Sequence, residues 1–546
     1  MFSTVLVGTP ASVSSSYSSS FVRLAWKYFT TPAEDATLKI VIITDWHTNP
    51  RYNASLGAGC ECMLPRPGAK NWVEPSSPWN PDNCALSTPA SQYGQYGCDS
   101  SPALAKASLR AAAAAMPNPD IVLILGDLVM HDSPSADFDH GVFRSMSRLI
   151  REAFPNRPYA CQVPLGNNDV FPNYVGILRT QRPVTSPPRA TADRVFAPLC
   201  GQGIDNSNTT FYASQAAAGR EFCGLDHTQG KLFSARGYYS RQLGALERVV
   251  ILNTNIYASQ HAVSRAAQQL GRAYPTRWSD GVRPGRRRLK DYSDVDPSTE
   301  PDPLAQFAWL EDQLHWARSS GGRVHISAHI PPTLDSYSRE PQWQLPFAVA
   351  YWRLVDSFAD VLGFQLFGHF HSDEIRSFRS TSAAVKRAPA LRILSSVSPI
   401  YKSNPAFYTV SMSLRDERRD EIRATMHAFD LANPPADGEP PIFAPLAQRP
   451  LDDTVGLGGT NEDYERLFSS MLATPTNAST NAAFDAFFRH YKGGFAGEAA
   501  CTTKDVIFQE CASCTGGCRV SFVCLQMAGR LPAEYNECLR EHLQTQ

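Results

Sequence analysis

The chain of 546 residues contains no uninterrupted apolar run near the roughly 18–20 residues that a membrane span needs, so no transmembrane helix is expected within it. It also lacks charge of one sign. Its 51 Lys and Arg offset 52 Asp and Glu to a formal −1, so no whole-molecule field draws it to nucleic acid or to an anionic membrane. There is no internal repeat. The opening MFSTVLVGTPASVSSSYSSS has an apolar patch but no basic n-region, which makes it a poor secretory signal. No pair of CxxC motifs stands at finger spacing and no histidine closely follows CASCTGGC, which disfavours a zinc knuckle there. At 43% apolar and 19% charged, the composition is that of a folded globular protein.

Cysteine is not scarce. The 13 thiols fall in local groups: Cys60, Cys62, Cys84 and Cys98; Cys200 and Cys223; Cys501, Cys511, Cys514, Cys518, Cys524 and Cys538; with Cys161 left over in an apparent strand. Such grouping allows two, one and three local disulfides and points to an oxidising compartment. The sequons at Asn53, Asn208 and Asn477 fit the same secretory route. We therefore expect an extracellular protein or one of the lysosome or vacuole lumen, with a signal not evident in the sequence.

One pattern recurs along the chain. Apolar runs of strand length end in polar residues: LKIVIITDWH (38–47), DIVLILGD (120–127), CQVPLGNND (161–169), VVILNTN (249–255), RVHISAHIPP (323–332) and LGFQLFGHFH (362–371). Near-continuous Val, Ile and Leu predict strands covered on both faces. Helical segments lie between them. ALAKASLRAAAAAM (103–116) is rich in helix formers, and AQFAWLEDQLHWARSS (305–320) aligns Phe307, Leu310, Leu314 and Ala317 before stopping at Gly321-Gly322. The alternation predicts an α/β core over 37–430. A segment of uncertain status (1–36) precedes it. A Pro-rich linker (431–450) and a helical, cysteine-bearing C-terminal region (451–546) follow. The Arg-rich stretch RPGRRRLKDYSD (283–294) reads most simply as a solvated insertion.

The chemistry sits at the strand ends, which offer Asp45 and His47, Asp127, Asn167, His329, and His369 and His371. A single Asp there is usually a helix cap and a single His a satisfied structural residue. Seven such groups at one sheet edge are different, because converging carboxylates and imidazoles would repel or strand one another without a cation. Mixed imidazole and carboxylate donors suit Zn²⁺, Fe or Mn²⁺ better than Mg²⁺ or Ca²⁺. The number of donors is too large for one tetrahedral zinc and right for two divalent ions sharing a bridge.

In their order, DWH, GDLVMHD, GNND, AHIPP and GHFH resemble the signature blocks of the calcineurin-like metallophosphoesterases. NTNIYAS, DPLAQFAWLEDQL and GHFHSD narrow the resemblance to the acid sphingomyelinase-like phosphodiesterases, and the spacing of Cys514, Cys518, Cys524 and Cys538 is similar to the paired cysteines of their C-terminal region. The resemblance implies a four-layer α/β sandwich, with two mixed sheets flanked by helices. It implies one ion on Asp45, His47, Asp127 and His371, and a second on Asp127, Asn167, His329 and His369. The two would ready a bridging water for in-line attack on a phosphoester.

One departure stands out. This class usually carries histidine where Asn168 stands, and that imidazole is generally assigned to the phosphate or to the leaving group. Asn168 donates a hydrogen bond but does not titrate. His131, matching another family histidine near the phosphate, is the alternative proton donor. GNND also resembles the block of fungal vacuolar endopolyphosphatases, whose phosphoanhydride leaving group needs less protonation. Three readings are open: a phosphodiesterase acting on a lipid head group or nucleotide, an endopolyphosphatase, and a catalytically reduced metal- or phosphate-binding protein. Residues 1–36 hold no cysteine and are too short for the six-cysteine lipid-presenting domain of acid sphingomyelinase, so soluble or head-group substrates are expected over packed bilayer lipid.

Overall fold

A computed structural model describes residues 37–57, 62, 90–131, 133, 136–155, 161–162, 164–170, 227–259, 302–377, 380–414, 422–436, 438–446, 459–474, 481–495, 497 and 499–543. Segment 1–36, Cys60, Cys84, Cys200, Cys223, Asn208, Asn477 and the Arg-rich stretch 283–294 lie outside the described residues.

Among the described residues, two six-stranded mixed sheets form the centre. The first has the order β12-β11-β10-β1-β2-β3. Its strands β1 (Thr37–Ile43), β2 (Ile121–Ile124) and β3 (Cys161–Gln162) run parallel. Antiparallel β10 (Ala406–Ser413), β11 (Ile422–Ala428) and β12 (Ala444–Pro445) complete it. The second has the order β4-β5-β6-β7-β9-β8. In it β5 (Glu247–Ile251), β6 (Arg323–Ser327), β7 (Leu362–Phe367) and β9 (Leu391–Ile393) are parallel. Antiparallel β4 (Tyr239–Gln242) and β8 (Glu374–Arg376) form its edges.

The alternation of β1 explains why it is apolar throughout. Ile40 and Ile42 face the other sheet, meeting a layer that includes Val249, Ile251, Phe364 and Leu366. Val41 and Ile43 face outward onto Leu104 and Leu109 of α1 (Pro102–Ala115) and Met146 and Ile150 of α2 (Ala136–Ala153). On the far side, Val324 and Ile326 pack under Leu310 and Leu314 of α4 (Gln306–Ser320) and Phe347 and Tyr351 of α5 (Leu345–Ser357). The order is helix, sheet, sheet, helix. A shorter helix, α3 (His227–Arg236), adds Phe233 to the layer between the sheets. Ser101 caps α1 ahead of Pro102, and α4 stops at Gly321 in a left-handed conformation (φ 70°).

The Pro-rich stretch expected as a linker is packed in part. Leu431 and Phe443 are buried against the α1/α2 layer, and β12 pairs with β11 at the sheet edge, a position that tolerates proline.

Beyond it lie α7 (Asn461–Leu472), α8 (Ala482–Tyr491), α9 (Gly516–Ala528) and α10 (Pro532–Leu543), with Phe522 of α9 ringed by Phe484, Phe487, Phe488 and Tyr491 of α8 and by Phe508; the short helix α6 (Ala383–Arg387) lies next to α7. A small parallel pair, β13 (Ala499–Cys501) and β14 (Cys511–Cys514), joins them. Three bridges lock this region: Cys501–Cys511, Cys514–Cys518 and Cys524–Cys538. A fourth, Cys62–Cys98, lies in the α/β body. The C-terminal region docks on β8, where Gln526 takes the amides of Ile375 and Ser377. Among the described residues, no helix is long and apolar enough to cross a membrane.

Candidate metal centre

Strands β1, β2 and β3 of one sheet and β6 and β7 of the other end at the same place. Their following loops bring together all seven residues expected there. Asp45, His47, Asp127, Asn167, His329 and His371 are buried, and His369 is half-buried. Donor atoms of Asp45, His47 and Asp127 lie within 4.8 Å of one another, as do those of Asp127, His329 and His369, and those of His47, His131 and His371.

The loops make unusual turns to do this. Asp45, His47, Asp127, His369 and His371 all have positive φ, between 42° and 77°. Such a conformation costs a non-glycine residue roughly 1–2 kcal/mol, and its concentration at one spot marks a functional site. Close backbone approach accounts for the glycines of the motifs. A Cβ on Gly166 would lie 2.0 Å from Asp127 Oδ1, and one on Gly368 would lie 2.6 Å from Asp45 Oδ2.

The donor atoms converge at distances suited to ions between them. His47 Nε2 is 3.0 Å from His371 Nε2, 3.4 Å from Asp127 Oδ2 and 3.7 Å from Asp45 Oδ1. His329 Nε2 is 3.2 Å from the same Asp127 Oδ2 and 3.0 Å from Asn167 Oδ1. Ligands about 2.0–2.1 Å from one tetrahedral ion stand roughly 3.3 Å apart, so both groups have the span of a coordination shell. Asp127 Oδ2 touches both. Tautomers agree: His47 Nδ1 faces Val129 O at 3.0 Å and His329 Nδ1 faces Leu125 O at 2.7 Å. Both rings donate there and turn an Nε2 lone pair inward.

Charge agrees as well. Burial opposes ionisation of Asp45, but His371 and His47 hold its carboxyl down at about 2. Burial likewise opposes Asp127, but His329 and His47 keep it well below the carboxylate range. Burial, assisted for His369 by the charge of His329, pushes His369 and His371 down to about 3. Anionic carboxylates and neutral imidazoles are the forms that bind a cation. Burial also disfavours a charged His329, yet Asp127 and Asp45 raise it to about 9. That pull marks a pocket whose negative charge favours a cation. The residues fit divalent metal.

Three further residues complete the site. Asn168 is turned onto Asp127, its backbone N–H donating to Oδ1 at 2.8 Å and its amide Nδ2 to Oδ2 at 2.7 Å. These two contacts hold that carboxylate in place. Asp169, not singled out from sequence, accepts from the backbone N–H groups of Asp127, Leu128 and Gly166 at 2.8–3.0 Å and clasps two motif loops together. Its only signal was its place at the end of GNND. His131 lies at the rim, its side chain 26% exposed while the neighbouring ligands are sealed. Its ring stacks on His47 with centroids 3.9 Å apart, and its Nδ1 meets Asp99 Oδ1 at 2.9 Å. Away from the centre, Asn53 is half-buried, with Oδ1 accepting from Ser55 N.

The model of the calcineurin-like phosphoesterase family matches residues 38–373. Sphingomyelinase phosphodiesterase D of Dictyostelium discoideum is 25% identical over 386 residues, 69% of this chain and 72% of its own. Acid sphingomyelinase-like phosphodiesterase 3b of Mus musculus is 27% identical over 353 residues, 63% of this chain and 59% of that protein. The human protein of the same name is 26% identical over 342 residues, 61% and 57% of the two chains. This chain thus spans less than two thirds of the length of the two mammalian proteins.

Proposed function

Because the chain belongs to the calcineurin-like phosphoesterase family, we propose that it is a dinuclear phosphodiester hydrolase of the acid sphingomyelinase-like type, acting on lipid head groups or nucleotides. One observation carries the two-ion reading: Asp127 Oδ2 lies 3.4 Å from His47 Nε2 and 3.2 Å from His329 Nε2, as a carboxylate shared by two centres would. Asp45, His47, Asp127 and His371 would hold one ion, and Asp127, Asn167, His329 and His369 the other. Zinc is our first choice, with iron or manganese compatible with the same donors. When bound, such a pair lowers the pKa of water and polarises phosphoryl oxygens.

The chain's own groups supply the rest. Asn167 contributes a neutral oxygen, adding no negative charge where phosphate must land. Asn168 and Asp169 hold the Asp127 loop in register. His131 faces the accessible side, where it would protonate the departing oxygen, with Asp99 fixing its ring. Four disulfides among the described residues support a lumenal or extracellular location.

The test is a parallel assay of zinc-supplemented protein at pH 5 and pH 7 on an activated phosphodiester, a nucleotide and long-chain polyphosphate, with Asp127→Asn as the blank. Diester or nucleotide cleavage lost in the blank supports the proposal. Polyphosphate shortening with little diester cleavage favours the endopolyphosphatase reading, which rests on Asn168. Metal binding without turnover on any of the three leaves the binding-protein reading. Full activity of Asp127→Asn refutes the shared bridge.

A further inference from the structure

His369 is supported differently from His47 and His329. Those two rings donate to carbonyls of the loop that carries Asp127. His369 Nε2 instead meets the side chain of Gln342, with Oε1 at 3.2 Å. Gln342 is buried, and its Nε2 lies 2.6 Å from Asp335 Oδ2. This second contact orients the amide. The same nitrogen lies 3.4 Å from Glu340 O, a carbonyl that only accepts, and Asp335 already accepts from the donors around it, so the amide nitrogen must face Asp335 and the amide oxygen must face His369. The Nε2 of His369 must then carry the hydrogen, which leaves Nδ1 as the nitrogen able to bind metal.

Asp335 is itself held. It accepts from the backbone N–H groups of Tyr337 (2.9 Å) and Arg339 (3.0 Å), from Ser338 N, and from Ser338 Oγ at 2.7 Å. The loop is pinned in turn by the C-terminal region. Tyr491 Oη and Gln509 Nε2 reach Ser336 Oγ at 3.1 and 3.2 Å, and Arg339 donates to Val506 O.

We infer that Gln342, oriented by Asp335, is a positioning residue that selects the metal-binding tautomer of His369 and so sets the affinity of the second ion. The inference rests on the two-ion reading above. Outer partners of this kind typically change metal affinity 10–100-fold.

The experiment titrates Zn²⁺ into the metal-free full-length chain against a competing chelator and counts ions per chain. It compares the wild type, Gln342→Leu, and the double variant Asp335→Asn/Gln342→Glu. The double variant reverses the polarity of the pair while keeping an acceptor for His369. We expect Gln342→Leu to bind one ion as the wild type does and the other 10–100-fold more weakly, and the double variant to recover most of that loss. Melting of the metal-free forms separates misfolding from lost coordination; should Gln342→Leu be unstable, recovery in the double variant decides. Wild-type affinity for both ions in Gln342→Leu, simultaneous loss of both, or failure of the double variant to recover would overturn the inference. A wild type that binds fewer than two ions would overturn the two-ion reading instead.

Discussion

Asp139 lies in α2 with 2% of its surface exposed, and among the described residues no donor stands within full hydrogen-bond distance of either carboxylate oxygen. Burial pushes its carboxyl from 3.8 up to about 8, against an opposing pull from the nearby Ser133 hydroxyl and with a smaller lift from the charge of Asp169. Between those values the folded chain holds a proton that the unfolded chain releases, so stability falls as pH climbs through this window. Each pH unit inside it is worth about 1.4 kcal/mol. The penalty is therefore about 1.5 kcal/mol at pH 5 and about 4 kcal/mol at pH 7. Asp139→Asn does not titrate and escapes it. Burying an amide without partners costs about 1–3 kcal/mol, but equally at both pH values. The variant should thus gain about 2–3 kcal/mol more, relative to wild type, at pH 7 than at pH 5. Urea unfolding of both proteins at both pH values measures this difference. A difference between variant and wild type that does not change with pH would refute the reasoning.

Gly166→Ala places a methyl group 2.0 Å from Asp127 Oδ1 and 2.3 Å from Asp127 N. Displacing that carboxylate should lower turnover about 100-fold with the circular dichroism spectrum unchanged; wild-type turnover would contradict the close approach. Asn168→His should raise diester hydrolysis more than polyphosphate hydrolysis if a proton donor is limiting, and equal effects in the two assays would restrict Asn168 to holding Asp127. Reducing the three C-terminal bridges should loosen that region first, since a loop of about 15 residues gains on the order of 3 kcal/mol from closure. A melting and proteolysis profile unmoved by thiol reagent would argue against that order.

The site was legible because its donors fall at the ends of uniformly apolar strands, and such strand ends share one edge of a sheet. Helix α4 was legible for a local reason: its apolar stripe ends at a glycine that takes positive φ. What the sequence hid is tertiary. Strand β10 pairs antiparallel with β1 and β11 antiparallel with β10, and their mixed polar pattern did not separate them from loop. The Pro-rich stretch after β11 looked free because its partners, in the α1/α2 layer, lie hundreds of residues earlier. Asp169 and Gln342 act through backbone amides and a ring that no spacing rule connects to them. The contact of Asn168 with Asp127 was hidden for the same reason: position in a motif names a neighbourhood, not the atom a side chain reaches.

Strand β8 is the last strand of its sheet, and an open sheet edge is a template on which another chain can pair. Here Gln526 occupies that edge, its side-chain oxygen taking the amide of Ile375 and its backbone oxygen that of Ser377. The disulfide-locked helices therefore act as a cover against self-association. Chains whose C-terminal helices come loose would be expected to polymerise through β8, so aggregation, rather than a quiet loss of turnover, would be the first sign that this cover has lifted.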